Sequence, residues 1–506
     1  MPTDSAGTSR ATCDHRRLRW SKAATIAGTM ERPIRYWRWT KVRFVNRVKE
    51  LSLLDEWFGR PGPQLGVVWG RRRVGKSHLL AHWAAGKRAI YHVSRNRALD
   101  QELAALSAAA APVLELADRD LTSRPFRDWD EAFEIFRRTA SESPLVLILD
   151  EFPELVQSDP SIESTLRAIW EGMGDHPVRL VLCGSAVRTM EALQEERAPL
   201  YGRATLRLQV RPFLPSEAAL MLPDLSPAER AKAWGVCGGI PFYLDLWDQS
   251  GSFRDNLTRL VADEHGLLLN EGQLILATED FAGGRRERIP EQVLRAIAAG
   301  RTRFGEIKGA LGTDPTRALA ALADLGLVQR VLPVGRSADP RRAYYRVADN
   351  FLAFWLAIAE PRRAGIIQGL GKSVAGVMEG QFDNFMGDRW EDAVRTHLIQ
   401  TMADDPRLAP VIEVGRFWHQ YGADPAEIDV AMLSEPGGRL SLAAEVKWAR
   451  REEGGHVLRA LVRKAHASNL LSPDFPEPLY AIAAREEVTG NLPDDVLRVT
   501  AADVFG

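Results

Sequence analysis

Short, continuous apolar runs punctuate the first half of the chain. Leu65–Trp69, Ala89–Val93, Leu145–Leu149, Arg179–Cys183 and Thr205–Val210 are separated by stretches of helical periodicity. Apolar runs of this length, without strict alternation, predict strands covered on both faces, so the pattern predicts a doubly wound α/β sheet. From Pro290 the period turns helical. One segment runs to Gly300, a second spans Arg303–Leu311 before Gly312, and a third spans Pro315–Leu325 before Gly326. Apolar strands at Val328–Val334 and Ala343–Val347 follow, on either side of a polar loop. Three helices and a hairpin predict a winged helix-turn-helix. Beyond a Gly/Arg-containing stretch read as a linker, a helix is predicted over Gly380–Met402. A β-hairpin then turns at Pro436-Gly437-Gly438. The predicted organisation is a tail (1–43), an ATPase-type core (44–212), a helical lid (213–285), a winged helix (286–350), a linker (351–376) and a C-terminal α/β domain (377–506).

Composition narrows this picture. A chain of 506 residues has room for about three domains, and 45% hydrophobic with 26% charged residues excludes wholesale disorder. With 66 basic and 67 acidic residues the net charge is −1, which excludes a polybasic nucleic-acid coat and confines any such surface to a local patch. Only 10 of the basic residues are lysine, so an arginine here is weak evidence of function and a lysine stronger evidence. Cys13, Cys183 and Cys237 are far apart and form no CxxC pair, so neither a disulfide framework nor a thiolate zinc site is predicted. No apolar run approaches the ~18 residues of a membrane span, and a cytoplasmic location is expected. Residues 1–43 hold ten Lys/Arg and three acids. They read as a disordered tail, or as a start codon set too far upstream of Met30, with a basic nucleic-acid arm as the alternative.

The chemistry concentrates first at GVVWGRRRVGKSHLL (Gly66–Leu80), an apolar strand, then Gly70-x4-Gly75-Lys76-Ser77, then a helix. This is GxxxxGK(S/T) in the context it requires. The glycines let the backbone wrap so that its N–H groups meet phosphate oxygens, and the helix offers its positive end. Lys76 is expected on the β/γ-phosphates and the Ser77 hydroxyl on Mg²⁺. The loop segment Gly70, Arg71, Arg72, Arg73, Val74, Gly75, Lys76, Ser77 and His78 is thus the predicted nucleotide contact. The three arginines have two readings, phosphate contacts or solvated charge. Asp150-Glu151 ends the Leu145–Leu149 strand, where ligands gather in a parallel sheet. Asp150 is expected to hold Mg²⁺ through water and Glu151 to polarise the attacking water. Ser185 follows the Arg179–Cys183 strand, at a place suited to sensing the γ-phosphate.

FVNRVKEL (Phe44–Leu51), GRRRVGKSHLL, LVLILDEFPEL, LCGSAVRTM, PLYGRA, RPFLPSEA and CGGIPFYL (Cys237–Leu244) together resemble the archaeal-type P-loop ATPases, relatives of the signal-transduction and AAA+ ATPases. The likeness covers roughly residues 44–350 and weakens towards the C-terminus. It implies that Phe44–Glu50 packs near the adenine, that Arg203 is a finger or sensor, and that Gly238-Gly239-x-Pro241 lies in a helical lid. Arg203 also has a plainer reading as a surface charge. Asn46 stands where the family usually has glycine.

The winged helix argues only weakly for DNA. Its recognition helix carries Arg317 as its single cation, and the wing tip adds Arg336, Arg341 and Arg342. YRVADNFLAFW (Tyr345–Trp355) suits core packing better than base stacking. In the C-terminal hairpin, a three-residue turn sets Asp429 opposite Glu445 and puts Lys447 on the same face, with Ile428, Val430 and Met432 on the other. Asp429, Glu445 and Lys447 resemble the PD-(D/E)xK nuclease core, and Glu391 on the preceding helix resembles its accessory acid. The proline usual before the Asp is absent. Two carboxylates can hold Mg²⁺ against a scissile phosphate, and the ammonium can orient water or stabilise developing charge. The triplet alone is weak, since roughly one is expected by chance here, and Glu306-Ile-Lys308 is another. The expected function is an ATP-binding and ATP-hydrolysing switch coupled to a Mg²⁺-dependent nuclease-like domain, with ATP and DNA as partners and a homo-oligomer or protein partner left open. The alternative is a non-cleaving regulator that uses the same fold for binding.

Overall fold

The computed structural model describes residues 44–506 apart from 141–142, 279–288, 336–342, 409, 420–425, 436–437 and 474–475. The tail 1–43, the wing-tip cations Arg336, Arg341 and Arg342, and the turn residues Pro436 and Gly437 lie outside these. Five parallel strands form the first sheet: β1 Gln64–Trp69, β2 Ala89–Val93, β3 Leu145–Asp150, β4 Val178–Gly184 and β5 Ala204–Gln209, in the order β2-β3-β4-β1-β5. The inner strands β3 and β4 are buried along their whole length, whereas edge strand β5 alternates exposed Thr205, Arg207 and Gln209 with inward Leu206 and Leu208. One apolar core lies on each face of the sheet. Because β4 separates β1 from β3, the loop after β1, the acids after β3 and Ser185 after β4 all meet at one carboxyl edge.

A cap of short helices follows, from Pro215–Ala219 to Leu267–Thr278. Its second helix, Pro227–Cys237, starts from a reciprocal Ser226–Glu229 cap and ends at Gly238 with φ +67°. Helices Ile289–Ala298, Phe304–Leu311 and Thr316–Asp324 lead into the antiparallel hairpin β6 Val328–Val331 and β7 Tyr344–Val347. This matches the expected helices and hairpin to within a few residues.

The expected linker 351–376 is helix instead. From Asn350 to Met402 the chain is almost continuously helical, passing through single π-turns at Trp355–Ala359 and Ile366–Leu370 before the long helix Gly371–Met402. That helix therefore begins nine residues before the expected Gly380. The reason is packing: Phe351, Leu352, Phe354 and Trp355 are buried. Trp355 donates its indole N–H to the Leu269 carbonyl at 2.8 Å and fills the space beside Gly272 in helix Leu267–Thr278. The glycines and arginines of this stretch supply little of that buried face, so composition read as a linker.

The C-terminal sheet comprises β8 Val411–His419, β9 Ala426–Ser434, β10 Arg439–Val446, β12 Leu479–Ala483 and β14 Leu497–Val499, in the order β14-β12-β10-β9-β8. The strands β11 Arg451–Glu453 and β13 Glu487–Thr489 pair separately. Helix Gly454–Ala467 covers one face of the sheet, while the last helix, Ala501–Phe505, packs on helix Pro227–Cys237, with Phe505 edge-on to Trp234 at 5.8 Å. Residues 44–506 thus form one compact unit. Among the described residues no helix is long and apolar enough to cross a membrane.

Candidate active site

At the first site, the loop turns from β1 into helix Lys76–Ala84 with Gly75 at φ +91°. A Cβ on Gly70 would lie 2.2 Å from the Val210 carbonyl oxygen, so only glycine lets the loop pass this close to β5. The Lys76 ammonium is buried and donates to the carbonyls of Gly70 (2.9 Å) and Arg71 (3.1 Å), closing the loop on itself. Asp150, also buried, accepts from the Tyr91 hydroxyl at 2.7 Å, and burial beside Asp150 pushes the Tyr91 phenol up. Glu151 adopts φ +53° and accepts from the Ser185 hydroxyl at 2.9 Å. The two residues expected to handle water and γ-phosphate are therefore bonded to each other.

Of the loop arginines Arg72 is exposed, whereas Arg71 and Arg73 are paired with buried acids. Arg71 pairs with Asp349 at 2.7 Å and Arg73 with Glu271 at 2.8 Å, and these acids are only 3% and 5% exposed. Arg73 also lies over the Phe242 ring, 4.3 Å from its centroid, and Glu271 accepts from Tyr243 at 3.0 Å. A fourth arginine, unremarked in the sequence, completes the cradle. Buried Arg47 donates to the carbonyls of Val74 and Arg211, both at 2.8 Å, and sits over Phe213. Neighbouring Asn46 has φ +57°, the left-handed region that asparagine tolerates best after glycine, which accounts for its standing in a glycine's place. Phe44 stacks on His82 at 3.8 Å and meets His78 edge-on, so the Phe44–Glu50 segment lies against the loop helix. Arg203 pairs with Glu171 and donates to the carbonyls of Pro199 and Tyr201, contacts of the plainer, structural kind.

At the second site, Ala444 pairs with Val430, and continuing that register sets Glu445 opposite Asp429. The pairing slips by one residue between Leu440 and Leu442 and is regular at the acids. Against β8, however, Gly415 pairs with Ala431 and Phe417 with Ile428, so β9 holds one residue more than β8 over that interval. This bulge at Asp429-Val430 corrects the expected alternation. Ile428 joins the core of Ala431 and Leu433, while Val430 and Met432 face the other core.

Asp429 and Glu445 are 5% and 7% exposed. Asp429 accepts from the Val446 amide at 2.8 Å. Lys447 approaches Glu445 at 2.7 Å and Asp429 at 3.8 Å, so the three expected residues do meet. Lys464, from helix Gly454–Ala467, holds the second Glu445 oxygen at 2.6 Å. Sequence reading missed it, although it carries the same signal as Lys447, a lysine in a lysine-poor chain. The two ammonium groups outweigh burial and hold Glu445 below the usual carboxylate range. Burial and then Glu445 push Asp429 up. Glu391, on helix Gly371–Met402, pairs with Arg416 at 3.0 Å. Burial, with the Asp429 charge second, outweighs that arginine and pushes Glu391 up to about 8.

For Glu391 the sign of the pH effect follows. Between 4.5 and about 8 the folded protein keeps a proton that the unfolded chain has lost, so this group's contribution to stability falls as pH rises through that window. Urea unfolding in EDTA should show wild type losing stability relative to Glu391→Gln, by up to about 1.4 kcal/mol per pH unit. Parallel pH profiles for the two proteins would contradict the assignment.

Among the described residues no three His, Cys, Asp or Glu side chains converge as a metal cage. Asp429 and Glu445 are nonetheless hard oxygen donors of the kind that hold Mg²⁺ with one or two carboxylates plus substrate phosphate. Ser77 and Asp150 offer the same donor chemistry beside the phosphate loop.

Residues 44–246 match the family described as the ATPase domain predominantly from Archaea, and residues 355–457 match a family of archaeal and bacterial proteins of unknown function. The uncharacterized protein MJECL04 of Methanocaldococcus jannaschii is 25% identical over 450 residues, 88% of this chain and 96% of the relative. Among solved structures, the Walker-type ATPase PABY2304 of Pyrococcus abyssi is similar with a TM-score of 0.49 and 20% identity, over 62% of this chain and 96% of that one. The ORC2 protein of Aeropyrum pernix gives 0.40 and 15%, over 65% and 96%.

Proposed function

We propose that this chain, whose residues 44–246 form an ATPase domain of the archaeal type, is an ATP-hydrolysing switch that governs a Mg²⁺-dependent nuclease-like centre acting on DNA. One observation carries the coupling. The phosphate loop's Arg71 is paired with Asp349, which caps the helix Asn350–Phe354 by accepting from the Leu352 amide at 2.6 Å. In that helix Asn350 accepts from Arg389 at 3.1 Å, and Arg389 stands on the long helix two residues before Glu391. A phosphate group competing for Arg71 bears on Asp349 and, through this buried chain, on the helix that presents Glu391. The link is physical because each contact is a charged or hydrogen-bonded pair with few alternative partners in the interior.

In this reading Lys76 and the loop amides bind the phosphates, and Asp150 with Ser77 would hold Mg²⁺. Glu151, released from Ser185, orients the attacking water. The Arg73–Glu271 pair ties helix Leu267–Thr278 to the phosphate loop. Asp429 and Glu445 would hold a second Mg²⁺, whose contribution would be charge stabilisation at the scissile phosphate, and Lys447 would orient water there. Arg203 remains a candidate finger only if its bond to Glu171 opens.

Asp349→Asn tests the coupling, because asparagine caps a helix as well as aspartate but carries no charge. ATP affinity should stay within a few-fold of wild type. Hydrogen exchange across 350–354 and 383–395, expected to respond to ATP in wild type, should lose that response. An undiminished response in the variant removes the relay from the proposal.

A second reading has its own support. Lys447 and Lys464 both occupy Glu445, and a metal must displace or share these contacts. That favours a regulator whose C-terminal domain binds DNA or protein without cutting.

A further inference from the structure

An open cleft of about 560 Å³ lies between the helix-and-hairpin unit and the C-terminal sheet. Arg303 and Tyr344 line it from the first, Arg416 and Trp418 from β8, and Lys464 from helix Gly454–Ala467. The inner cations lead directly to the acids, since Lys464 bonds Glu445 and Arg416 bonds Glu391. We infer that this cleft seats a single-stranded nucleic-acid segment, with a base against Tyr344 and its phosphates towards Arg303 and Lys464. The inference rests on the nuclease-like reading only for what lies at the cleft's inner end.

Three observations favour that ligand. Among the described residues three cations and the acid Glu427 line the cleft; Arg416 and Lys464 are held by Glu391 and Glu445, which fixes their remaining N–H donors in place for phosphate oxygens. The Tyr344 ring is half-buried, packed beside the mostly buried Trp418 with centroids 5.4 Å apart, and carries the Arg303 guanidinium 5.9 Å from its centroid, so a base stacks there as Arg303 moves from the ring to the adjoining phosphate. Such a ring stacks on an unstacked base, which a single strand offers and an intact duplex does not. The Glu445 carboxylate engages Lys464 by one contact, and an ammonium has three donors, so a phosphate can be added without breaking that pair. The recognition helix, with its one cation, offers no comparable duplex-reading surface.

The test is fluorescence anisotropy on the full chain in EDTA, with a labelled fifteen-nucleotide oligo-dT probe and a duplex of equal length. Cleavage of both is assayed separately in Mg²⁺. Wild type should bind the single strand more tightly than the duplex. Tyr344→Ala should weaken single-strand binding by about 5- to 150-fold, the range for loss of one stacked base. Tyr344→Phe should restore it, and Arg303→Ala should lower the salt-dependence slope by about 0.7. Unchanged ATP binding by each variant reports an intact fold. Equal affinity for the two probes, or a Tyr344→Ala variant that binds like wild type, overturns the cleft assignment even if the protein cleaves DNA. Tyr344-dependent single-strand binding without any cleavage in Mg²⁺ upholds the cleft and defeats the nuclease reading alone.

Discussion

Lys76→Ala is expected to abolish ATP binding at micromolar nucleotide. In the structure the Lys76 ammonium is held by the Gly70 and Arg71 carbonyls. On binding it exchanges two neutral acceptors for phosphate oxygens, and charge-assisted bonds are worth about 1.5–3 kcal/mol each. Two such bonds correspond to roughly a hundred- to ten-thousand-fold in Kd. The alanine also leaves two loop carbonyls without their donor, so the thermal midpoint should be recorded alongside. Titration calorimetry with ATP and with a non-hydrolysable analogue gives the affinity directly. Unchanged affinity in a folded variant would show that the loop does not bind phosphate as described.

The second large effect separates the two halves of the proposal. Asp429→Asn keeps an acceptor for the Val446 amide and removes only the charge, so the fold should survive. DNA cleavage in Mg²⁺ should fall by about a hundred- to a thousand-fold or more, the cost of losing one group that stabilises transition-state charge. Lys447→Ala should fall comparably. ATP hydrolysis should remain at the wild-type rate in both, because neither residue contacts the phosphate loop in the described interactions. If wild-type protein cuts neither duplex nor single strand with Mg²⁺ or Mn²⁺, the non-cleaving regulator becomes the better account. The two lysines on Glu445 then read as permanent replacements for a metal.

Much of this was legible from spacing alone. The strand runs, the GxxxxGKS loop and the Asp150-Glu151 pair are local patterns. A strand that must be buried on both faces has little choice of residue, and a loop that wraps phosphate has less. The expected hairpin register is right by an incomplete route: Arg439 pairs with Ser434, so four residues rather than the expected three separate the strands, and the one-residue slip between Leu440 and Leu442 restores Asp429 opposite Glu445. Where reading failed, a local signal was overridden. The bulge on β9 moved Ile428 to the other core, because one extra residue reverses the face of all that precede it. Composition hid the helix from Asn350 onwards, since its buried face depends on a few large residues that meet the cap helices only in three dimensions.

Local pattern names the side chains that can do chemistry: a phosphate loop, two acid pairs and a handful of lysines in a chain that otherwise uses arginine. The tertiary structure alone decided which of them face one another. Arg71 and Asp349 are 278 positions apart in the chain, and no periodicity links them. Their pairing exists because burying two charges is tolerable only when they meet. The same need brings Lys464 to Glu445 and Arg416 to Glu391. Local pattern fixes what a residue offers, whereas long-range burial chooses its partner.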